Sequence, residues 1–332
     1  MKISNIVLAA TMLLATTSAY AQQIVGAGAT FPAPLYSKWG EATKAAINIE
    51  LNYQAIGSGG GQNQIFNRTV DFGASDAPVS ADKLAENHLL QVPTVMGAVV
   101  VIVNIPGIEN NQLRLNGKVL ADIYSGRIKN WNNPAIQLLN PNKTLPTLAI
   151  APVYRADGSG TTFVWTSYLS KSSANWARDT GANTSVRWPV GNGAKGNDGV
   201  AATVKQVKGG VGYVESAYAS SNHLITTQLE NADHKFVMPS AASFSAAAAN
   251  ADWAHARNWE VDIINQPGAA SWPIVSATYL LLPTDAKTPV QAQLVRKWIE
   301  WVYRNGNAMA TSMDYVPLPN TVQTQVLTQL KG

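Results

Sequence analysis

Apolar and polar residues alternate strictly along Ile49-Glu50-Leu51-Asn52-Tyr53-Gln54, a period of two that predicts a β-strand. The run ends in Gly57-Ser58-Gly59-Gly60-Gly61, a turn-rich stretch, and the pattern then predicts a helix from about Gln62 to Arg68. Val70 to Ala74 reads as a second short strand, and Ser80 is placed to cap a helix over Ala81 to Asn87. Helical periodicity returns over Thr161 to Leu169, Gly199 to Val207 and Ala292 to Arg304, while alanine-rich Ser240 to Ala251 reads as a helix with its preceding loop. Two longer apolar runs, Val95 to Ile105 and Ile274 to Leu282, predict strands buried on both faces. Strands alternating with helices imply an α/β fold with mainly parallel sheets, and 332 residues suggest two lobes. If both apolar runs crossed between lobes, the N- and C-terminal parts would combine into one lobe and the middle would form the other. Strands buried within a single sheet would look the same.

The N-terminus changes where this fold is expected to work. Lys2, the apolar run Ile6 to Ala15 and Ala19-Tyr20-Ala21 have the form of a secretory signal peptide, with cleavage expected after Ala21 and a mature chain from Gln22. The alternative is a buried N-terminal helix. No later segment reaches the length of a membrane helix, so the product is expected to be soluble and not itself membrane-spanning. The chain has no cysteine, which excludes disulfides, thiolate metal sites, thiol nucleophiles and a lipidated anchor. The formal charge of +4 includes Lys2 and is spread without a basic run, so nucleic acid is not an expected partner. His88, His223, His234 and His255 are scattered without metal-ligand spacing, and no metal or cofactor is expected.

Four separated segments carry candidate chemistry. Arg155-Ala-Asp-Gly-Ser-Gly-Thr161 joins a guanidinium, hydroxyls and two glycines to the start of a helix, where unpaired N–H groups and the helix dipole favour an anion. Gly26-Ala-Gly-Ala-Thr-Phe-Pro32 sets a hydroxyl and backbone N–H groups before a proline suited to a first helical position. Gly57 to Gly61 repeats the pattern, and Asp71-Phe-Gly-Ala-Ser-Asp-Ala-Pro78 ends a strand with a carboxylate. Loops beyond the carboxyl ends of strands in an open α/β sheet converge on one crevice. Each has a plain alternative: Gly-x-Gly as a turn, Asp76 as a turn stabiliser, Arg155 and Asp157 as a surface pair. Chemistry alone leaves phosphate, sulfate, a nucleotide or a carboxylate open.

These segments, together with Tyr53 to Gly60, Asp122 to Trp131, Gly193 to Gly199, Gly209 to Glu215 and Asp314 to Pro319, resemble in order the signature segments of the periplasmic phosphate-binding proteins of high-affinity phosphate ABC importers. The resemblance implies a two-lobed binding-protein fold, with a ligand cleft between the lobes and two hinge-crossing strands. It divides the chain into a signal peptide (1–21), a discontinuous first lobe (22–95 and 268–332) and a second lobe (96–267). It implies inorganic phosphate as ligand, capture by hinge closure, delivery to an inner-membrane ABC permease, a periplasmic location and a monomer, with no cofactor. Carried over by position, phosphate contacts fall to Thr30, Phe31 through its N–H, Ser58, Asp76, Arg155, Ser159, Gly160 through its N–H, and Thr161. Asp157 orients Arg155. Gly59-Gly60-Gly61 is more glycine-rich than the Ser-Gly-Gly usual in the family, and a slightly looser loop is expected there.

Asp76 has the wrong charge for an anion site, and that is informative. An ionised carboxylate only accepts hydrogen bonds, and both hydrogen phosphate and dihydrogen phosphate have an O–H to donate, whereas sulfate near neutrality has none. Arsenate, tetrahedral and protonated, is expected to compete. A secreted phosphatase-like enzyme using Ser58 or Ser159 is one rival reading, although no activating base is cued nearby in sequence. An extracellular adhesion module using some of the ten tryptophans is another; core or lobe packing is the expected role of Trp39, Trp298 and Trp301.

Overall fold

The computed structural model describes residues 22–285 and 289–331. The signal segment and its cleavage site after Ala21 lie outside the described residues.

The fold is mixed α/β, built on one long curled sheet. Its principal strands are β1 (Gln22–Gly28), β2 (Ile49–Ala55), β3 (Phe72–Ser75), β4 (Leu89–Val103), β5 (Ala151–Arg155), β6 (Asn192–Ala194), β7 (Gly210–Glu215) and β8 (Val275–Pro283). They lie in the order β2-β1-β3-β8-β4-β7-β5-β6, with the short strand Ile225–Thr226 also on β4. Pairing is parallel among β2, β1 and β3, and again among β7, β5 and β6. Between these two parallel groups, β8 and β4 pair antiparallel with their neighbours. Arg114–Leu115, Gln228–Glu230 and Phe236–Val237 form a small second sheet.

β4 joins the two groups. Residues 89 to 98 pair with β8, and Val99 to Val103 pair with β7. Every residue of β4 except Leu90 is buried, as its unbroken apolar run requires. The strand begins six residues before the expected Val95, and Pro93 is accommodated within it at an irregularity. Thr278 opposes Val95 and Tyr279 opposes Pro93, so Thr94 is the unpaired extra residue of a bulge. β8 starts at Val275, one residue after the expected Ile274.

Each group of strands is packed with its own aromatic cluster. Tyr36, Trp39, Phe72 and Trp298 lie with ring centroids 5.7–6.1 Å apart on the first, and Tyr124, Trp165, Trp188 and Tyr213 lie 5.0–6.1 Å apart on the second. Trp39 and Trp298 are therefore core residues, and Trp301 is half-buried against the same core. All four histidines are exposed. Among the described residues no helix is long and apolar enough to cross a membrane.

Several helix boundaries differ from expectation. The helix expected from Gln62 starts at Ser58, so Gly59-Gly60-Gly61 is a helical turn and not a loose loop. Glycine is needed there by close approach: a Cβ on Gly61 would stand 2.4 Å from the Gly28 Cα, and one on Gly59 would stand 3.2 Å from the Gly158 Cα. Helix Gly196–Gln206 begins three residues before the expected Gly199, and Ser80 occupies the N-cap of helix Ala81–Glu86 without a side-chain cap bond.

Candidate functional site

The registers fix where the strands end. Ser75 at the end of β3 lies opposite Tyr279, which itself lies opposite Pro93, while Glu215 at the end of β7 lies opposite Val99. The two parallel groups therefore point their carboxyl ends at each other across the middle of β4. Loops leaving β1, β2, β3 and β5 bring the four anion-type segments to this place, as open α/β sheets do. Thr30, Phe31, Ser58, Asp76, Arg155, Ser159 and Thr161 are each at most 3 % exposed, and Gly160 is buried with them. The starts of helices Ala33–Ile47, Ser58–Phe66, Gly160–Ser172 and Gly196–Gln206 gather here. Their first-turn N–H groups lack intrahelical partners, which gives the site a positive potential without many cations.

The two groups touch directly. Gly160 N–H and Asp76 N–H both donate to Ser58 Oγ, at 3.0 and 3.2 Å, and Gly59 N–H donates to the Gly158 carbonyl at 2.8 Å. A Cβ on Gly160 would lie 2.4 Å from Ser58 Oγ and 2.5 Å from Asp76 Oδ2, so only glycine permits this approach. Ser159 caps its helix, its Oγ accepting from Thr162 N–H at 3.0 Å. Tyrosine hydroxyls hold three consecutive carbonyls of the β1 loop: Tyr53 on Ala29 at 2.7 Å, Tyr218 on Thr30 at 2.6 Å and Tyr315 on Phe31 at 2.7 Å.

Arg155 and Asp157 form a bidentate pair, with Nε on Oδ1 at 2.8 Å and Nη2 on Oδ2. The guanidinium side chain is only 1 % exposed, so this is not the surface pair that the sequence left open. Burial pushes the Asp157 carboxyl upward, but the Arg155 hydrogen bonds and charge, with Gly196 N–H at 3.0 Å, hold it below the usual carboxylate range. Arg155 Nη1 is left to reach Thr161 Oγ1 at 3.3 Å.

Asp76 is different. Its Oδ1 accepts from Thr278 Oγ1 at 2.7 Å, whereas its buried Oδ2 has no partner. Burial raises its pKa to about 7, against the opposing pull of Thr278, Arg155 and Ser58. Nearby Glu215 is also buried and pushed well above the usual carboxylate range by burial; its Oε2 lies 2.9 Å from Tyr315 Oη and accepts from Ala217 N–H at 2.9 Å.

All eight predicted contact residues and Asp157 are thus brought together. Asn197, Thr278, Tyr218 and Tyr315 were missed as site-forming residues. Asn197 and Tyr315 fall inside the Gly193–Gly199 and Asp314–Pro319 segments quoted for the resemblance, but nothing local gave them a role. A cavity of about 560 Å³ lies elsewhere, lined by Val25, Val70, Leu90, Leu282 and Val295 among others. It lies before the start of β3, also touches Arg68, Asp71 and Arg296, and includes none of the predicted contact residues. Among the described residues no group of His, Asp and Glu is arranged to hold a metal ion.

This arrangement agrees with the relatives of the chain. A family profile described as PBP superfamily domain matches residues 15–305. The phosphate-binding protein PstS of Pasteurella multocida is 49% identical over 311 residues, covering 94% of this chain and 90% of that protein. The protein belongs to the PstS phosphate-binding protein family. The PstS of Haemophilus influenzae is 45% identical, covering 94% of this chain and 95% of that one. Among solved structures, a high-affinity periplasmic phosphate-binding protein (PfluDING) bound with phosphate shares the fold, with a TM-score of 0.73 at 23% identity over 92% of this chain and 93% of that one. The two parallel strand groups that β4 joins form the two lobes of the fold.

Proposed function

We propose that this protein captures inorganic phosphate between its two lobes and delivers it to an ABC importer as a periplasmic binding protein, without catalysing a reaction. The observation that supports the reading best is the unpartnered Oδ2 of Asp76 amid clustered donors. A buried acceptor without a donor is costly, and phosphate supplies the missing O–H while its other oxygens take the surrounding N–H and O–H groups. Thr30, Phe31, Ser58, Arg155, Ser159, Gly160 and Thr161 are the proposed donors; Gly160 N–H, which rests on Ser58 Oγ at 3.0 Å, is the one to be shared with the ligand. Asp157 is a positioning residue for Arg155.

Burial of the whole set requires the lobes to part for loading and release. The proposed division is 22–95 with 268–332 against 96–267, cut at the middle of β4, with a monomer as the working unit and no cofactor. All four histidines are exposed and none pairs with Asp76 or Glu215, and Ser58 Oγ accepts two N–H bonds, which supports a binder over a phosphatase. Calorimetry with phosphate, sulfate and arsenate on the mature chain tests the reading. Phosphate and arsenate are expected to bind and sulfate to fail. Sulfate binding as tight as that of phosphate, or release of phosphate from an ester, overturns it.

A further inference from the structure

Asn197 is fully buried at the second position of helix Gly196–Gln206, and its carboxamide has a fixed orientation. Glu215 N–H can only donate, and it meets Asn197 Oδ1 at 3.1 Å, so the amide oxygen must face it. The NH₂ group then faces the two site threonines: Nδ2 lies 2.7 Å from Thr30 Oγ1 and 3.4 Å from Thr161 Oγ1. One side chain thus addresses a hydroxyl from each side of the cleft.

Neither threonine hydroxyl can donate back to an NH₂ group. Thr161 Oγ1 also receives Arg155 Nη1 at 3.3 Å, so its acceptor positions face donors on two sides. We propose that Asn197 is a positioning residue that fixes the polarity of the phosphate site: by donating to Thr30 and Thr161, it turns both hydroxyl protons toward the ligand. Without it, the Thr30 hydroxyl is free to rotate and present a lone pair to a phosphate oxygen, which is repulsive, and Thr161 keeps only the Arg155 Nη1 donor to orient it. Ser58 is set in the same way by the N–H groups of Asp76 and Gly160. The site becomes a set of donors with a single acceptor, Asp76 Oδ2, and matches an anion that has at least one proton. This inference rests on the phosphate reading above.

The test is a double-mutant cycle on phosphate affinity, using the wild type, Asn197→Ala, Thr30→Val and the double variant, with Asn197→Asp alongside. Asn197→Ala is expected to weaken phosphate binding about ten- to a hundredfold in the wild-type background. With Thr30→Val present, where the hydroxyl to be oriented is gone, the same change is expected to cost only severalfold. Asn197→Asp retains an acceptor for Glu215 N–H but removes the donor, so it preserves the packing role and is expected to bind worse than the alanine variant. If the alanine variant does not fold, the aspartate variant and its pair with Thr30→Val carry the cycle. Penalties that multiply fully between positions 197 and 30, or an aspartate variant that binds like the wild type, overturn the role of Asn197. A wild type that does not bind phosphate overturns the underlying reading and this inference with it.

Discussion

Thr278 donates its hydroxyl to Oδ1 of Asp76 across 2.7 Å, although the two residues are 202 positions apart. The bond fixes the rotation of the carboxylate and leaves Oδ2 as the acceptor for a ligand proton. The bulge at Thr94 lies beside it, where β8 passes from Thr278 to Tyr279.

Asp76→Asn is expected to admit sulfate. The amide can turn its NH₂ toward a bare oxygen, which a carboxylate cannot do, and sites built on an obligatory hydrogen bond discriminate by about 10⁴–10⁵. Phosphate titrations with and without excess sulfate read this directly. If sulfate competes no better in the variant than in the wild type, Asp76 is not the selective acceptor.

The ligand-free protein is expected to lose stability as pH rises from about 4 to 7. Asp76 has a folded pKa raised to about 7, above its unfolded value near 3.8, so the folded state holds more protons across this window. Stability is then greatest below the unfolded pKa and falls through the folded one, by at most about 4 kcal/mol if the cleft stays closed. Thermal melts of wild type and Asp76→Asn against pH compare the slopes. The variant should lack this component, and saturating phosphate should reduce it in the wild type.

Arg155→Ala is expected to weaken phosphate binding by about 1.5–3 kcal/mol, the range for charge-assisted bonds. It should also destabilise the fold, because Asp157 would keep its charge with no cation beside it, only the N–H groups of Gly196 and of its own backbone. Adding Asp157→Asn should restore stability without restoring affinity. Calorimetry and melting on both variants separate the two losses. An affinity unchanged in Arg155→Ala removes the guanidinium from the ligand contacts.

Gly160→Ala is expected to abolish tight binding by holding the two sides of the cleft apart. Its Cβ would meet Ser58 Oγ and Asp76 Oδ2 from the other side of the cleft, and that collision exists only when the sides are together. Scattering profiles with and without phosphate should show wild-type contraction and none in the variant. Contraction of both proteins would mean that the approach at Gly160 can relax.

Much of the site was legible because its backbone chemistry is local. Glycines, hydroxyls and helix starts around Thr30, Ser58, Asp76 and Arg155 announced an oxyanion, and the fold delivers all of them to one place. Gly59 to Gly61 misled, since a glycine cluster ordinarily marks a turn; here the glycines serve the close approach of Gly61 to Gly28 and of Gly59 to Gly158. Asn197 and Thr278 were illegible as site residues for a different reason. Their role exists only through partners far away in sequence, Thr30 for one and Asp76 for the other. The first six residues of β4, Leu89 to Thr94, were not legible: they contain Pro93, and a proline inside a central strand is tolerated only at a bulge that no local pattern reveals.

The continuity of β4 has a consequence for the handover of cargo. A ligand sealed among buried side chains offers a transporter nothing to recognise by touch. One strand whose halves belong to opposite lobes converts occupancy into the angle between two outer faces. On the proposed reading, the permease identifies a loaded protein by its outline, and the anion that sets that outline stays out of sight until the faces are pulled apart.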